Sequence, residues 1–341
     1  MKFTKEVVAL IKKFIISNIS KHPNKITQQT CDYFQITKPT VLKYINELVK
    51  GNIIEKQGSN RYPRYQLVKT VHEWEYPNKN LEEDLLWSKD LSPLLGELTV
   101  NIKEICQYGF TEMVNNVIDH SGAKKLIIEL IVDYLHIEIR VIDDGIGIFR
   151  KIKNALGLDH SKYAILELAK GKFTSDPENH SGEGIFFTSR VFDVFMIISH
   201  KLSFVGLGNR DGIIWEEKEN FPGTSVLMKI KKDSPIRLID IFNEYADPDK
   251  DPSFHKTFIP VKLMEHEGES LLSRSQAKRL ISRFERFLEV VLDFDGVKQI
   301  GQAFADQIFR VFKNKYPNVR LTNINTTKDV ANMIKRVQLN R

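Results

Sequence analysis

Residues 137–148 read IEIRVIDDGIGI. From Ile137 to Ile142 apolar and polar side chains alternate, the period of a strand with one buried face. The strand then meets Asp143-Asp144-Gly145-Ile146-Gly147. Asp-Gly makes ordinary hairpin turns. Two glycines two residues apart also allow the backbone to come close to a ligand. Asp143, at the strand end, is then placed to accept a hydrogen bond from an exocyclic amine.

Working outward, residues 112–120 read EMVNNVIDH on a helix expected over 98–120. Glu112 and Asn116 are one turn apart and share a face. An amide oxygen suits a hard cation such as Mg²⁺, which keeps waters and touches phosphates. A carboxylate beside it can take a proton from an attacking water. Both side chains fit a solvated helix surface equally well. Asn115 points about 100° away from Asn116, and His120 fits a peripheral or a structural place. Further on, Gly182-Glu183-Gly184 opens a helix after a polar loop. Free backbone N–H groups and a positive dipole end there suit phosphate, although such glycine pairs also merely punctuate loops. Gly223-Thr224 opens the apolar strand TSVLMKI.

In this order and spacing the four pieces resemble the GHKL ATPase superfamily, which includes gyrase, heat-shock chaperones, histidine kinases and anti-sigma serine kinases. The resemblance covers roughly residues 95–232. It implies ATP and Mg²⁺ as cofactors, with Asn116 holding the metal and Glu112 as general base. It implies that Asp143 binds the adenine amine with help from Thr224. Gly145 and Gly147 flank the base, Gly182 and Gly184 contact phosphates, and 171–181 forms a lid over the nucleotide. A histidine kinase needs a phospho-acceptor histidine before this unit. The nearby candidate, His72, falls in a segment that reads as an irregular connector, beside Trp74 and Pro77. The Glu112 pattern is closer to the ATPase and serine-kinase branches.

The flanking segments differ in character. Residues 1–70 hold eleven Lys and two Arg against four acidic residues, a net +9, whereas the rest of the chain is net −3. A concentrated positive field points to an anionic partner, nucleic acid or a membrane surface. Three expected helices and a two-stranded hairpin resemble a winged helix-turn-helix. That resemblance puts Lys38, Thr40, Lys43, Tyr44 and Asn46 on the groove-entering helix, and Lys56, Asn60, Arg61 and Arg64 on the wing. A winged helix also serves as a protein–protein module. At the other end, LEVVLDFDGVKQIGQAFADQIF (288–309), with Gly268-Glu269-Ser270 opening the preceding unit, resembles the STAS-like domains attached to some bacterial GHKL proteins. The loop Asp295–Gln299 lacks the Ser or Thr of a STAS phospho-switch. An interaction module for a protein partner is expected, with Asp293 and Asp295 serving the turn.

The expected fold class is therefore α/β multidomain (α+β). A winged helix spans 1–70, a GHKL-type α/β sandwich 80–232 and a small STAS-like αβ domain 255–341, with a Pro/Asp-rich linker at 247–253. Cys31 and Cys106 stand alone, which argues against a disulfide framework or structural zinc. No apolar run reaches the roughly 18 residues of a membrane span, and Lys12 and Lys13 break the stretch a signal peptide would need. A cytoplasmic regulator whose flanking units respond to nucleotide is expected, with hydrolysis by water or phosphoryl transfer to a protein as alternatives. A non-hydrolysing nucleotide-binding adapter is a third. GHKL proteins often act as dimers, so a homodimer is a further expectation.

Overall fold

The computed structural model describes residues 3–59, 61–173, 182–207, 210–246, 254–265 and 270–339. Asn60, most of the expected lid (174–181), the expected linker 247–253, and Gly268 and Glu269 lie outside the described residues. Among the described residues helices are mixed with three separate sheets.

The N-terminal unit has α1 (Lys5–Asn18), α2 (Ile26–Phe34), α3 (Lys38–Lys50), β1 (Ile54–Gly58) and β2 (Pro63–Leu67). Thr4 caps α1, its hydroxyl accepting from Val7 N at 3.4 Å. Gln35, in the left-handed region, ends α2. Ile11, Ile15, Val41, Ile45 and Leu48 close around Ile54 and Leu67 to form a core of their own. The antiparallel hairpin pairs Ile54 with Leu67.

The chain enters β3 (Thr70–Pro77) two residues after β2. This corrects the irregular connector expected there. The segment is an edge strand paired antiparallel with β4 (Lys125–Val132) over its whole length. Pro77 misled because proline is confined to edges and ends of sheets, and it sits at the strand's last position. His72 therefore lies on a strand, stacked 5.9 Å from Trp74, and not on a dimerising helix.

After α4 (Glu83–Leu86) comes α5 (Val100–Asn116), which continues as a π-helical turn over Val117–Ser121. Then follow β4, β5 (His136–Asp143), α6 (Ile148–Leu156), α7 (Lys162–Lys170), α8 (Gly184–Val191), β6 (Val194–Leu207) and β7 (Arg210–Lys231). The sheet order is β3-β4-β5-β7-β6, antiparallel throughout. Where separate strands were expected at 194–199, 202–207, 212–216 and 224–231, β6 and β7 form one long bulged hairpin. Helix α6 was not expected either. One face of the sheet buries Leu126, Ile128, Ile139, Val141, Phe195 and Met228. Helices α5 and α8 contact strands of this sheet.

The C-terminal part begins with α9 (Leu238–Tyr245) and β8 (Lys256–Pro260). It continues with α10 (Arg274–Ile281), β9 (Glu289–Asp293), α11 (Gln302–Asp306), a π turn to Phe312, α12 (Lys313–Lys315), β10 (Arg320–Ile324) and α13 (Lys328–Leu339). Its parallel sheet runs β10-β9-β8. This core is continuous with that of the middle part. Phe254 joins them, its ring 4.4 Å from Phe186 and 5.5 Å from Phe287. Among the described residues no helix is long and apolar enough to cross a membrane.

Helix α5 lies so close to the sheet that a Cβ at Gly109 would stand 2.5 Å from the fully buried Phe192 ring and 3.0 Å from Met228 Sδ. Gly109→Ala gains about 1 kcal/mol of helix propensity but overpacks the core by about 1–3 kcal/mol. The expected net result is a lower denaturation midpoint in urea with an unchanged slope. A midpoint that rises would show that the contact yields freely.

Candidate functional site

A cavity of about 320 Å³ opens between the end of α5, the β5–α6 turn and the end of α7. Glu112, Asn116, Asp143, Gly147, Gly182 and Thr224, distant in sequence, all line it. Val141, Val226, Ile148, Ile152, Leu168 and Ile185 supply apolar wall.

Asp143 ends β5 with only 6% of its surface exposed. Its Oδ1 accepts from Gly145 N at 2.7 Å, and the Thr224 hydroxyl across the strand pair bonds it as well. Burial raises the carboxyl above its ordinary pKa more than these bonds lower it. Thr224 Oγ1 in turn accepts from Ile148 N at 3.0 Å, at the first residue of α6. The neighbouring Asp144 has a different task. Its Oδ1 takes the amides of Lys124 and Lys125 at 2.7 and 3.0 Å, and these bonds hold its carboxyl below the usual range.

The glycines are required mainly by packing. At Gly145 a Cβ would stand 2.3 Å from the Ser121 carbonyl, so this residue sits behind the wall, against the α5 terminus. Gly147, at φ +83°, faces Ser199 Oγ and His200 Nε2, each 2.6 Å from where its Cβ would be. His200 Nε2 bonds the Ile146 carbonyl at 2.9 Å, which pins the turn to β6. Gly182, at φ +72°, lies on the Phe173 backbone, a Cβ there meeting its carbonyl at 2.4 Å. Gly184 opens α8 directly against Glu112. A side chain on it would come 1.9 Å from Glu112 Oε2. The carboxylate thus rests on a helix N-terminus. Burial pushes the phenol of nearby Tyr108 far up, and the charges of Glu112 and Glu183 push it further.

Asn115 also lines the cavity, against the expectation that it faces elsewhere. The useful reference is Glu112. Positions three and four residues on both flank its face, and the helix widens into the π turn one residue after Asn116. His120 lies in that turn and lines the cavity too. Lys151 was missed in the sequence. It sits one turn into α6 on the face shared by Ile148 and Ile152, lines the cavity, and donates to the His120 carbonyl at 2.7 Å. Burial lowers its pKa, with Asp119 opposing. The IFRKIK periodicity following Gly147 is the signal that places it. Among the described residues no three His, Cys, Asp or Glu gather into a metal-holding group.

In the N-terminal unit Lys38, Lys43, Asn46, Lys56, Arg61 and Arg64 are exposed. Thr40 is half-buried and shares a 3.0 Å hydrogen bond with Thr37. Tyr44 is a correction. It is 5% exposed and belongs to the core stripe Val41-Tyr44-Ile45-Leu48, so its ring cannot enter a groove. Cys106 is buried, its thiol pushed up to about 12 by burial, and Cys31 is half-buried; both are free.

At the C-terminal end Asp293 serves its turn as expected, accepting from Asp295 N at 3.0 Å and from Asn325 Nδ2 at 2.9 Å. The family model for a STAS-like domain of unknown function (DUF4325) matches residues 276–331, the segment from α10 into α13. No curated protein matches the chain.

The raised Asp143 pKa has a definite sign. A carboxyl whose pKa is higher folded than unfolded gives stability that is complete below the unfolded value, about 3.9. That stability is lost as pH rises through the folded value. At neutral pH the charged Asp143 therefore costs stability. Asp143→Asn keeps an acceptor for Gly145 N and removes the charge. It is expected to raise the ligand-free unfolding midpoint at pH 7 and to flatten its dependence on pH. Calorimetry across pH checks this; a lower midpoint at neutral pH would count against it.

Proposed function

We propose that this chain is an ATP-binding regulatory protein whose middle unit is of the GHKL type, a slow Mg²⁺-dependent ATPase. On this reading its nucleotide state controls what the flanking units hold. The observation that carries the proposal is convergence. Four short segments, around 112–116, 143–147, 182–184 and 224, meet at one cavity although up to 112 residues of chain separate them. None of the four has this weight alone.

The residues present fit the group. The cavity's volume lies within the usual small-molecule range of roughly 300–1,000 Å³. A buried carboxylate amid apolar wall suits the exocyclic amine and flat face of adenine. Asn116 offers Mg²⁺ an amide oxygen, and phosphate and water complete the shell of such an ion. Lys151 adds positive charge to the wall. Bound Mg²⁺ would supply charge neutralisation on the phosphates. Glu112 would accept the proton of the attacking water, held in place by the α8 terminus.

The N-terminal unit reads as a winged helix that holds duplex DNA. Its own core, three helices and hairpin, exposed Lys38, Lys43, Asn46, Arg61 and Arg64, and net +9 support this. The STAS-like segment reads as the surface for a protein partner.

The first test is direct. Mg-ATP is expected to raise the unfolding midpoint of the whole chain, and Asp143→Asn to abolish that rise. Glu112→Ala is expected to keep the rise and to lower turnover about 100-fold or more. If Mg-ATP gives no shift, the nucleotide reading fails. ATP labelled on its γ-phosphate distinguishes free phosphate, expected here, from label on protein.

The second test concerns DNA. Binding to duplex is expected to weaken steeply with salt, and Arg61→Ala with Arg64→Ala to reduce the log–log slope by about 2. Binding absent at low salt would move this unit to a protein-binding role.

A further inference from the structure

Helix α7 has two sides with different partners. Leu168 faces the cavity. Glu167 and Lys170 face the C-terminal part and are 3% and 0% exposed. Lys170 Nζ donates to Glu167 Oε1 at 2.5 Å and to the carbonyls of Ser282 and Arg279 at 2.9 and 3.1 Å. Arg283 completes the cluster from the STAS-like segment. Its Nη1 donates to Glu167 Oε2 at 2.9 Å, and its Nη2 to the carbonyls of Gly171, at 3.1 Å, and Lys172. Its backbone is left-handed, φ +69°, and its guanidinium lies 5.5 Å from the Phe173 ring centre.

Two buried cations on one carboxylate are a poor device for stability, since apolar side chains of similar volume usually do as well or better. What the cluster does supply is place. The guanidinium of Arg283 spreads its donors over a rigid planar fork, one nitrogen on the carboxylate and the other on two successive carbonyls, a geometry that the compact ammonium of a lysine at the same position does not reproduce. The carbonyls held are those of Gly171 and Lys172, and the next residue, Phe173, is cavity wall. Gly182, also cavity wall, packs on the Phe173 backbone. A side chain in the C-terminal part therefore sets the position of two wall residues in the middle part.

We propose that Arg283 is a positioning residue for the cavity, through which the STAS-like segment and the nucleotide are coupled; this rests on the cavity being a nucleotide site. The coupling is reciprocal by thermodynamic necessity. Nucleotide then steadies 279–286, and whatever engages that stretch alters nucleotide affinity.

The test uses the whole chain as wild type, Arg283→Lys and Arg283→Met. Mg-ATP affinity is measured by calorimetry, and amide hydrogen exchange over 279–286 with and without Mg-ATP. The wild type is expected to bind Mg-ATP and to show slower exchange over 279–286 when bound. Arg283→Lys keeps charge on Glu167 but loses the fork whose second nitrogen holds the Gly171 and Lys172 carbonyls. It is expected to weaken Mg-ATP about fivefold or more and to lose the ligand-dependent slowing. Arg283→Met should lose more, and if it does not fold, the lysine variant decides. Wild-type affinity in a folded Arg283→Lys chain overturns the proposal, as does wild-type exchange over 279–286 that ignores bound nucleotide. A wild type that binds no Mg-ATP overturns the nucleotide reading itself, and the positioning role falls with it.

Discussion

The burial of one carboxylate organises the middle of this protein. A charged group that is 6% exposed must have its hydrogen bonds met. Asp143 obtains them from Gly145 N and from Thr224, so β5 and β7 must pair in the register that sets 143 opposite 224. Gly223, at φ +78°, lacks a Cβ that would stand 1.9 Å from the Asp143 carbonyl. Gly145 lacks one that would strike Ser121 at the end of α5. The Thr224 hydroxyl passes the constraint on to the first amide of α6. Strand pairing, turn, and the ends of two helices are all fixed by the same side chain.

Continuity of packing does not follow the punctuation of the chain. The buried core of the N-terminal unit is separate, touched from the middle part by Leu135. The middle and C-terminal parts share one, although the sequence between them is rich in Pro and Asp. Aromatic rings make the joint. Phe186 and Phe187 of α8 pack against Tyr245 of α9 and Phe254. Arg190 Nε donates to the Tyr245 hydroxyl at 3.0 Å, and its guanidinium lies over the Phe186 ring. Polar residues in a linker report what the linker is made of. They say nothing of the surfaces on either side, which here are apolar and meet.

Local patterns in the sequence read well, and long-range ones did not. Helices α1 to α3, α5 and α7, strands β4 and β5, and the αβ alternation of the C-terminal part follow from periodicity and caps. The STAS-like resemblance agrees with the family match over 276–331. Edge strand β3 was lost because one terminal proline outweighed a clear alternation of Glu73 and Glu75 with Trp74 and Tyr76. Six cavity residues were named from motif spacing, since backbone turns and helix faces are local properties. Lys151 depends on reading IFRKIK after Gly147 as the helix α6, and Asn115 on how the π turn widens the end of α5. Tyr44 counts by residue type among the polar positions of α3, while its ring completes a core stripe.

Only Val68 and Lys69 lie between the β1–β2 hairpin and the edge of the large sheet. Val68 N is bonded to the Ile53 carbonyl at 3.0 Å, and Leu135, from the β4–β5 turn, packs against the N-terminal core. So short a coupling means that turning one unit against the other must break these contacts. The orientation of the basic N-terminal unit is thus tied to the edge strand β3 and to the β4–β5 turn. On the nucleotide reading proposed above, a change at the cavity would reach the N-terminal unit through β5 and β4, as a twist of the sheet, and not as the release of a tethered module.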